Sequence, residues 1–260
     1  MKRTPIQPDL ALFPAEFQHL LAGPVFDSSC SPEARVYYID KDGGLFLKSA
    51  PAGSLQKEAA MDRFFFEKGI GPQVLSYHTA EQDWLLTARV PGEDCLHAQY
   101  ISDPRRLCDT TALLLRQLHE TPIAGCPIAH RTDDYIAAAE EHFHTGQYDA
   151  SLFPDNWGYA SAEEAIAVVR QFAPALQRDT LLHGDYCLPN ILLRDWQLSG
   201  FIDLGAGGIG DRHIDLFWGV WSLFFNLKTD AWGERFLDVY GRDRIDKDIL
   251  GAIGAFEVFQ

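Results

Sequence analysis

The chain has 260 residues, 47% of them hydrophobic and 23% charged, enough apolar content for one large core or two modest lobes. Its 37 acidic against 22 basic residues give a net charge of -15, which disfavours nonspecific nucleic-acid binding and favours attraction of cations, although plain solubility accounts for it equally well. No apolar run approaches the roughly 20 residues of a bilayer span, and Met1-Lys2-Arg3-Thr4-Pro5 leads into no signal-peptide apolar region, so a cytoplasmic protein with no membrane attachment is expected.

Two short β-prone stretches, Arg35 to Asp40 and Leu45 to Ser49, flank Lys41-Asp42-Gly43-Gly44, the composition of a hairpin turn. From Ser54 to Lys68, the residues Leu55, Ala59, Phe65 and Phe66 recur near helical spacing, and Gly69 with Gly71-Pro72 ends the run. Gln73 to His78 and Asp83 to Val90 read as strands, and Pro91-Gly92 breaks the pattern. Beyond that break helices are expected at 103–119, 132–144 and 161–172, with Asp103 before Pro104 and Ser161 before Glu163 and Glu164 as their starts. Ile191 to Arg194 and Leu198 to Asp203 form a hairpin through Asp195-Trp196-Gln197, and further helices fill 214–225, 231–240 and 247–258. The class is α+β, with a small β-rich lobe over 1–92 and a larger helical lobe over 93–260.

The chemistry concentrates in His183-Gly184-Asp185-Tyr186-Cys187-Leu188-Pro189-Asn190, with Asp203 thirteen residues after Asn190. Phosphoryl transfer needs one carboxylate to orient a hydroxyl and take its proton, and an amide with a second carboxylate to hold magnesium on nucleotide phosphates. On Leu45-Phe46-Leu47-Lys48 the two-residue period puts Phe46 and Lys48 on one face, and Glu58 at the start of the next helix is within reach to pair with Lys48. Taken alone, Lys48 is as well read as a snorkelling edge-strand lysine and Glu58 as a carboxylate favoured by the helix dipole. The five cysteines form no C-x-x-C or zinc spacing and read as reduced thiols, and His183 reads as a buried ring that satisfies backbone groups.

These motifs, with Cys30-Ser31-Pro32, Glu58-Ala59-Ala60, Asp83-Trp84-Leu85-Leu86, Val90-Pro91-Gly92, Ser199-Gly200-Phe201-Ile202-Asp203 and Asp211 to Asp215, resemble those of the aminoglycoside 3'-phosphotransferases. The resemblance implies a protein-kinase-like fold in two lobes, with Asp185 as catalytic base and Asn190 and Asp203 as ligands of Mg2+. It implies that Lys48, oriented by Glu58, holds the phosphates of ATP and that Ser31 lies in the turn over them. Phe46 would stack on the base, and the backbone of Ala88 and Val90 would bond its edge. Thr87 excludes neither adenine nor guanine, which leaves GTP open.

The implied acceptor is an aminoglycoside, a polycation met by Asp155, Asn156, Glu257 and the terminal carboxylate of Gln260. The chain departs from the family pattern on the helix after Asp215, where Trp218, Trp221, Ser222, Phe225 and Asn226 replace acidic residues, and at Val258 and Gln260. Another small hydroxylated metabolite or drug therefore stands as an alternative acceptor. A nonenzymatic pseudokinase binding module is a third reading.

Overall fold

The computed structural model describes residues 3–30, 32–150 and 158–260. Among them the strands are β1 (Thr4–Ile6), β2 (Val25–Asp27), β3 (Arg35–Ile39), β4 (Leu45–Pro51), β5 (Val74–Thr79), β6 (Gln82–Ala88), β7 (Glu93–Asp94), β8 (Thr180–Leu182), β9 (Ile191–Arg194), β10 (Gln197–Phe201) and β11 (Gly208–Gly210). The α-helices are α1 (Ala15–Gln18), α2 (Gln56–Glu67), α3 (Ala98–Ile101), α4 (Pro104–His119), α5 (Arg131–Thr145), α6 (Ala162–Phe172), α7 (His213–Leu227), α8 (Gly233–Tyr240) and α9 (Lys247–Glu257). They fall into two compact units, Met1–Cys95 with Pro189–Gly205, and Leu96–Leu188 with Ala206–Gln260.

The first unit is built on a six-stranded antiparallel sheet in the order β1-β2-β3-β4-β6-β5. The β3–β4 turn closes with Gly44 N donating to Lys41 O at 2.9 Å, and its left-handed residues are Asp42, Gly43 and Gly44, the types that reach positive φ at least cost. Strand alternation then works as the composition dictates: Leu45 and Leu47 enter the core with Phe17, Val25, Ile39, Trp84 and Leu86, while Phe46 and Lys48 face the other way. Helix α2 buries Ala59, Met61, Phe64 and Phe65, and Phe65 meets Phe201 edge-on with centroids 6.2 Å apart. Burial of each such ring contributes roughly 1.5–3 kcal/mol.

The β9–β10 hairpin turns through Asp195 and Trp196, both at positive φ, as a two-residue turn of this twist requires. Reading 93–260 as one helical lobe differs from what pairing produces. β9 pairs with β7 and Cys95 N donates to Ile191 O at 3.1 Å, so the hairpin groups with the first unit.

In the second unit the helix starts follow side-chain chemistry. Asp103 accepts from Arg106 N at 3.1 Å ahead of Pro104, and Ser161 accepts from Glu164 N at 3.3 Å while Glu164 accepts in return from Ala160 N at 2.7 Å. Tyr135, Ile166, Val169, Ile214, Ile253, Phe256 and Phe259 make the core, with Tyr135 stacked on Phe256 at 5.2 Å. Strand β8 pairs with β11 and runs directly into His183, which delivers the motif loop at the end of a buried strand. No described helix is long and apolar enough to cross a membrane.

Candidate active site

In the first unit Lys48 is the centre of a charge cluster. Its Nζ donates to Glu58 Oε1 at 2.9 Å, to Glu58 Oε2 at 2.7 Å and to Asp203 Oδ1 at 2.8 Å. Burial works against the ammonium, but the two carboxylates more than offset it and hold the Lys48 pKa above its ordinary value. Burial raises the Glu58 pKa, Lys48 opposes that rise, and the charge of Asp203 adds to it. One turn along α2, Asp62 is buried with Oδ1 lacking a hydrogen bond, and burial followed by repulsion from Glu58 pushes it well above the usual carboxylate range. Asp62 is a buried neighbour of the cluster that the sequence reading missed.

Asn190 and Asp203 bracket the β9–β10 hairpin. Asn190 is buried at the end of a 3-10 turn, and its carbonyl accepts from Ile202 N at 3.0 Å, which places Asp203 one residue past that bond. The Asp203 side chain is 53% exposed and its backbone is left-handed at φ 62, a conformation that Asp reaches at less cost than most residues. Both residues present oxygen atoms, the donor type magnesium selects, and a two-residue set suits an ion that keeps waters and phosphate oxygens for its other positions.

A cavity of about 200 Å³ in the same unit is lined by Arg3, Phe46, Arg89, Val90, Gly92, Glu93, Asp94 and Leu192. It brings Phe46 and Val90 together, as a base site requires. Ala88 is not among its lining residues, and its N–H is already given to Gln73 O at 2.9 Å. Ser31 lies outside the described residues. The stem of its loop is tied by Ser29 N donating to Asp27 Oδ1 at 2.9 Å and Val36 N to Ser29 Oγ at 2.9 Å.

In the second unit Asp185 sits on a loop clamped through its main chain. Asp215, fully buried, accepts from His183 N at 2.8 Å and Gly184 N at 2.7 Å. Asp215 is itself 3.1 Å from His119 Nε2, and His119 Nδ1 is 2.7 Å from Tyr240 OH. Further on, Tyr186 OH donates to Thr111 O at 2.8 Å and Leu188 N to Ser222 Oγ at 2.9 Å. His183 is buried and its Nδ1 accepts from Asp185 N at 3.3 Å, a structural duty. Cys187 is also buried, and burial followed by the nearby Asp185 charge raises its thiol pKa, so it is no nucleophile at neutral pH.

The acceptor-side residues are less open than the sequence reading supposed. Glu257 ends α9 buried, with Oε1 accepting from Tyr135 OH at 2.7 Å and from Trp218 Nε1 at 3.1 Å. Gln260 folds back, its Nε2 donating to Tyr135 O at 3.3 Å and to Phe256 O at 3.4 Å. Asp155 and Asn156 lie outside the described residues. On α7, Trp221 stacks on Phe225 at 4.8 Å and meets Trp218 edge-on at 5.3 Å.

Burial raises the Glu257 pKa from 4.5 to about 7, and the Asp185 charge adds to the rise against the Tyr135, Arg131 and Trp218 contacts. A folded-state pKa above the unfolded one means the native protein holds this proton more tightly. The contribution to stability is full below about pH 4.5 and is lost as pH rises through about 7, a change on the order of 3 kcal/mol. Glu257→Gln is expected to flatten the fall in melting temperature between about pH 5 and about pH 8, as calorimetry at a series of pH values would register. An unchanged slope would count against a buried, late-titrating Glu257.

The profile of the phosphotransferase enzyme family matches residues 32–250, a span that contains Lys48, Glu58, Asp185, Asn190 and Asp203. A protein of Lactococcus lactis subsp. lactis (strain IL1403) named probable aminoglycoside 3'-phosphotransferase is 46% identical over 236 residues, 90% of each chain. The crystal structure of an aminoglycoside-3'-phosphotransferase of type VIII superposes with a TM-score of 0.72 at 26% identity, over 89% of this chain and 91% of that one. Aminoglycoside phosphotransferase APH(3'')-Id from Streptomyces rimosus ATCC10970, in complex with ADP and streptomycin, gives 0.69 at 25% identity over 85% and 90%. A lysine held by two carboxylates, an Asn–Asp oxygen pair astride a hairpin and a clamped Asp loop thus coincide with a match along most of the chain, and the protein belongs to the phosphotransferase enzyme family.

Proposed function

We propose that this protein transfers the γ-phosphoryl group of ATP to the 3'-hydroxyl of an aminoglycoside and so inactivates it, in the cytoplasm. The observation that carries the reading is the Lys48 ammonium, fixed and charged between Glu58 and Asp203, because a cation so held has the chemistry to receive α and β phosphates. Phe46 would take the base on its face. Val90 would bond the base edge through its backbone and Ala88 through its carbonyl, its N–H being engaged. Ser31 would cover the phosphates.

Asn190 and Asp203 would hold magnesium, which when bound neutralises charge on the transferred group. Asp185 would orient the acceptor hydroxyl and accept its proton as the phosphoryl group leaves. Asp155, Asn156, Glu257 and the terminal carboxylate of Gln260 would meet the acceptor's ammonium groups. Catalysis is then mostly positioning and charge neutralisation.

A nucleotide-consumption assay with kanamycin, neomycin and a panel of hydroxylated metabolites tests the reading, with phosphorus NMR to locate the product phosphate. Consumption dependent on either drug, with phosphate on the 3'-oxygen, is expected. Consumption with a metabolite alone would favour the second reading, a different hydroxylated acceptor, to which the aromatic row Trp218, Trp221 and Phe225 lends weight. Asp203→Ala is expected to weaken magnesium-dependent nucleotide binding by tenfold or more, roughly the effect of losing one charged metal ligand. A magnesium titration that overlays the unaltered protein's would remove Asp203 from the metal site.

A further inference from the structure

Across the sheet face that carries Lys48 runs a row of rings. Strand register sets Phe26 beside Tyr38 and Tyr38 beside Phe46, with centroids 5.9 and 5.3 Å apart. Over this row lies Arg3, its Cζ 3.6 Å from the Tyr38 centroid and 6.0 Å from that of Phe46. The placement is anchored, because β1 begins at the next residue, pairs Thr4 with Asp27, and sends Ile6 against the core.

Arg3 also lines the cavity that Phe46, Val90 and Leu192 enclose. The other arginine there has protein partners: Arg89 donates to Gly92 O at 3.3 Å and stands 3.9 Å from Glu93. Arg3 instead rests on rings, a contact that fixes the guanidinium while leaving its planar fork of N–H donors usable. Its Cζ is nearer the Tyr38 centroid than that of Phe46, so a base lying on Phe46 would have an edge against that fork.

We propose that Arg3 is a nucleotide-binding residue, packing its guanidinium against the edge of a purine base stacked on Phe46. The proposal rests on the reading of this cavity as the base site. The contact is with the nucleoside and not the phosphates, and Tyr38 acts through Arg3 as its platform.

Isothermal titration of the 260-residue chain with magnesium-ADP and with adenosine tests it. Arg3→Ala is expected to weaken both ligands alike, by about tenfold, with an unchanged melting temperature. Arg3→Lys restores only part of the loss, since an ammonium lacks the planar fork. Equal affinities in the Arg3→Ala and unaltered proteins would overturn the proposal. A loss confined to ADP would overturn it in favour of a phosphate contact. Failure of the unaltered protein to bind either ligand would instead overturn the base-site reading, and this proposal with it.

Discussion

Asp185→Ala is expected to lower turnover by about a thousandfold, the middle of the range for a proton-accepting group that also positions its hydroxyl. Folding and nucleotide binding should be untouched, because the loop is held by its main chain. His183 N and Gly184 N are fixed by Asp215, and Leu188 N by Ser222, none of which uses the Asp185 carboxylate. Asp185→Asn preserves shape but cannot accept the proton, so it should fall nearly as far. The measurement is turnover at saturating acceptor and nucleotide, beside a melting curve and a nucleotide titration. Turnover within a few-fold of normal in either variant would end the assignment of Asp185 as base.

Gly184→Ala is expected to be the most damaging single methyl group in the chain. Gly184 lies at φ 86, and a Cβ there would stand 1.9 Å from Ala206 O and 2.3 Å from Ala206 C, backbone atoms with no flexible end to yield. The left-handed backbone alone costs a Cβ-bearing residue about 1–2 kcal/mol. Relief of the clash must pull the loop from Asp215, which forfeits two hydrogen bonds to a charged acceptor at about 1.5–3 kcal/mol each. A loss of about 4 kcal/mol or more follows, or roughly 10 °C in melting temperature for a chain of this size. Gly43→Ala is the control, since Gly43 is also left-handed at φ 90 but has nothing within 4 Å of an added Cβ. It should lose only about 1 kcal/mol. Equal melting temperatures for the two variants would show that close approach to Ala206 is not what Gly184 provides.

The parts that proved legible in the sequence are those whose cause is local. Alternation along Leu45 to Lys48 settled which residues face the core, and Asp103 and Ser161 announced their helices by the bonds they go on to make. Lys48 and Glu58 were expected to pair, and they stand ten residues apart. What stayed hidden depends on distant partners or on very short elements. Behind Asp215, which the sequence does suggest as a brace of the Asp185 loop, stand His119 and Tyr240; His119 lies 96 residues from Asp215, and no spacing rule announces a buried histidine at that range. Strands β1 and β2 have three residues each, too few to show a period of two, and with them the role of Arg3 went unseen. That the Ala88 N–H is given to Gln73 O, which leaves its carbonyl for a ligand, was likewise not legible in the sequence.

Lys48, Glu58, Phe46, Val90, Asn190 and Asp203 all belong to one of the two compact units, while α7, Glu257 and Gln260 belong to the other. That partition has an evolutionary meaning. Substitutions among the residues proposed to meet the acceptor can accumulate in one unit without replacing any residue proposed to hold the nucleotide. The range of targets is then the part of this enzyme most free to drift.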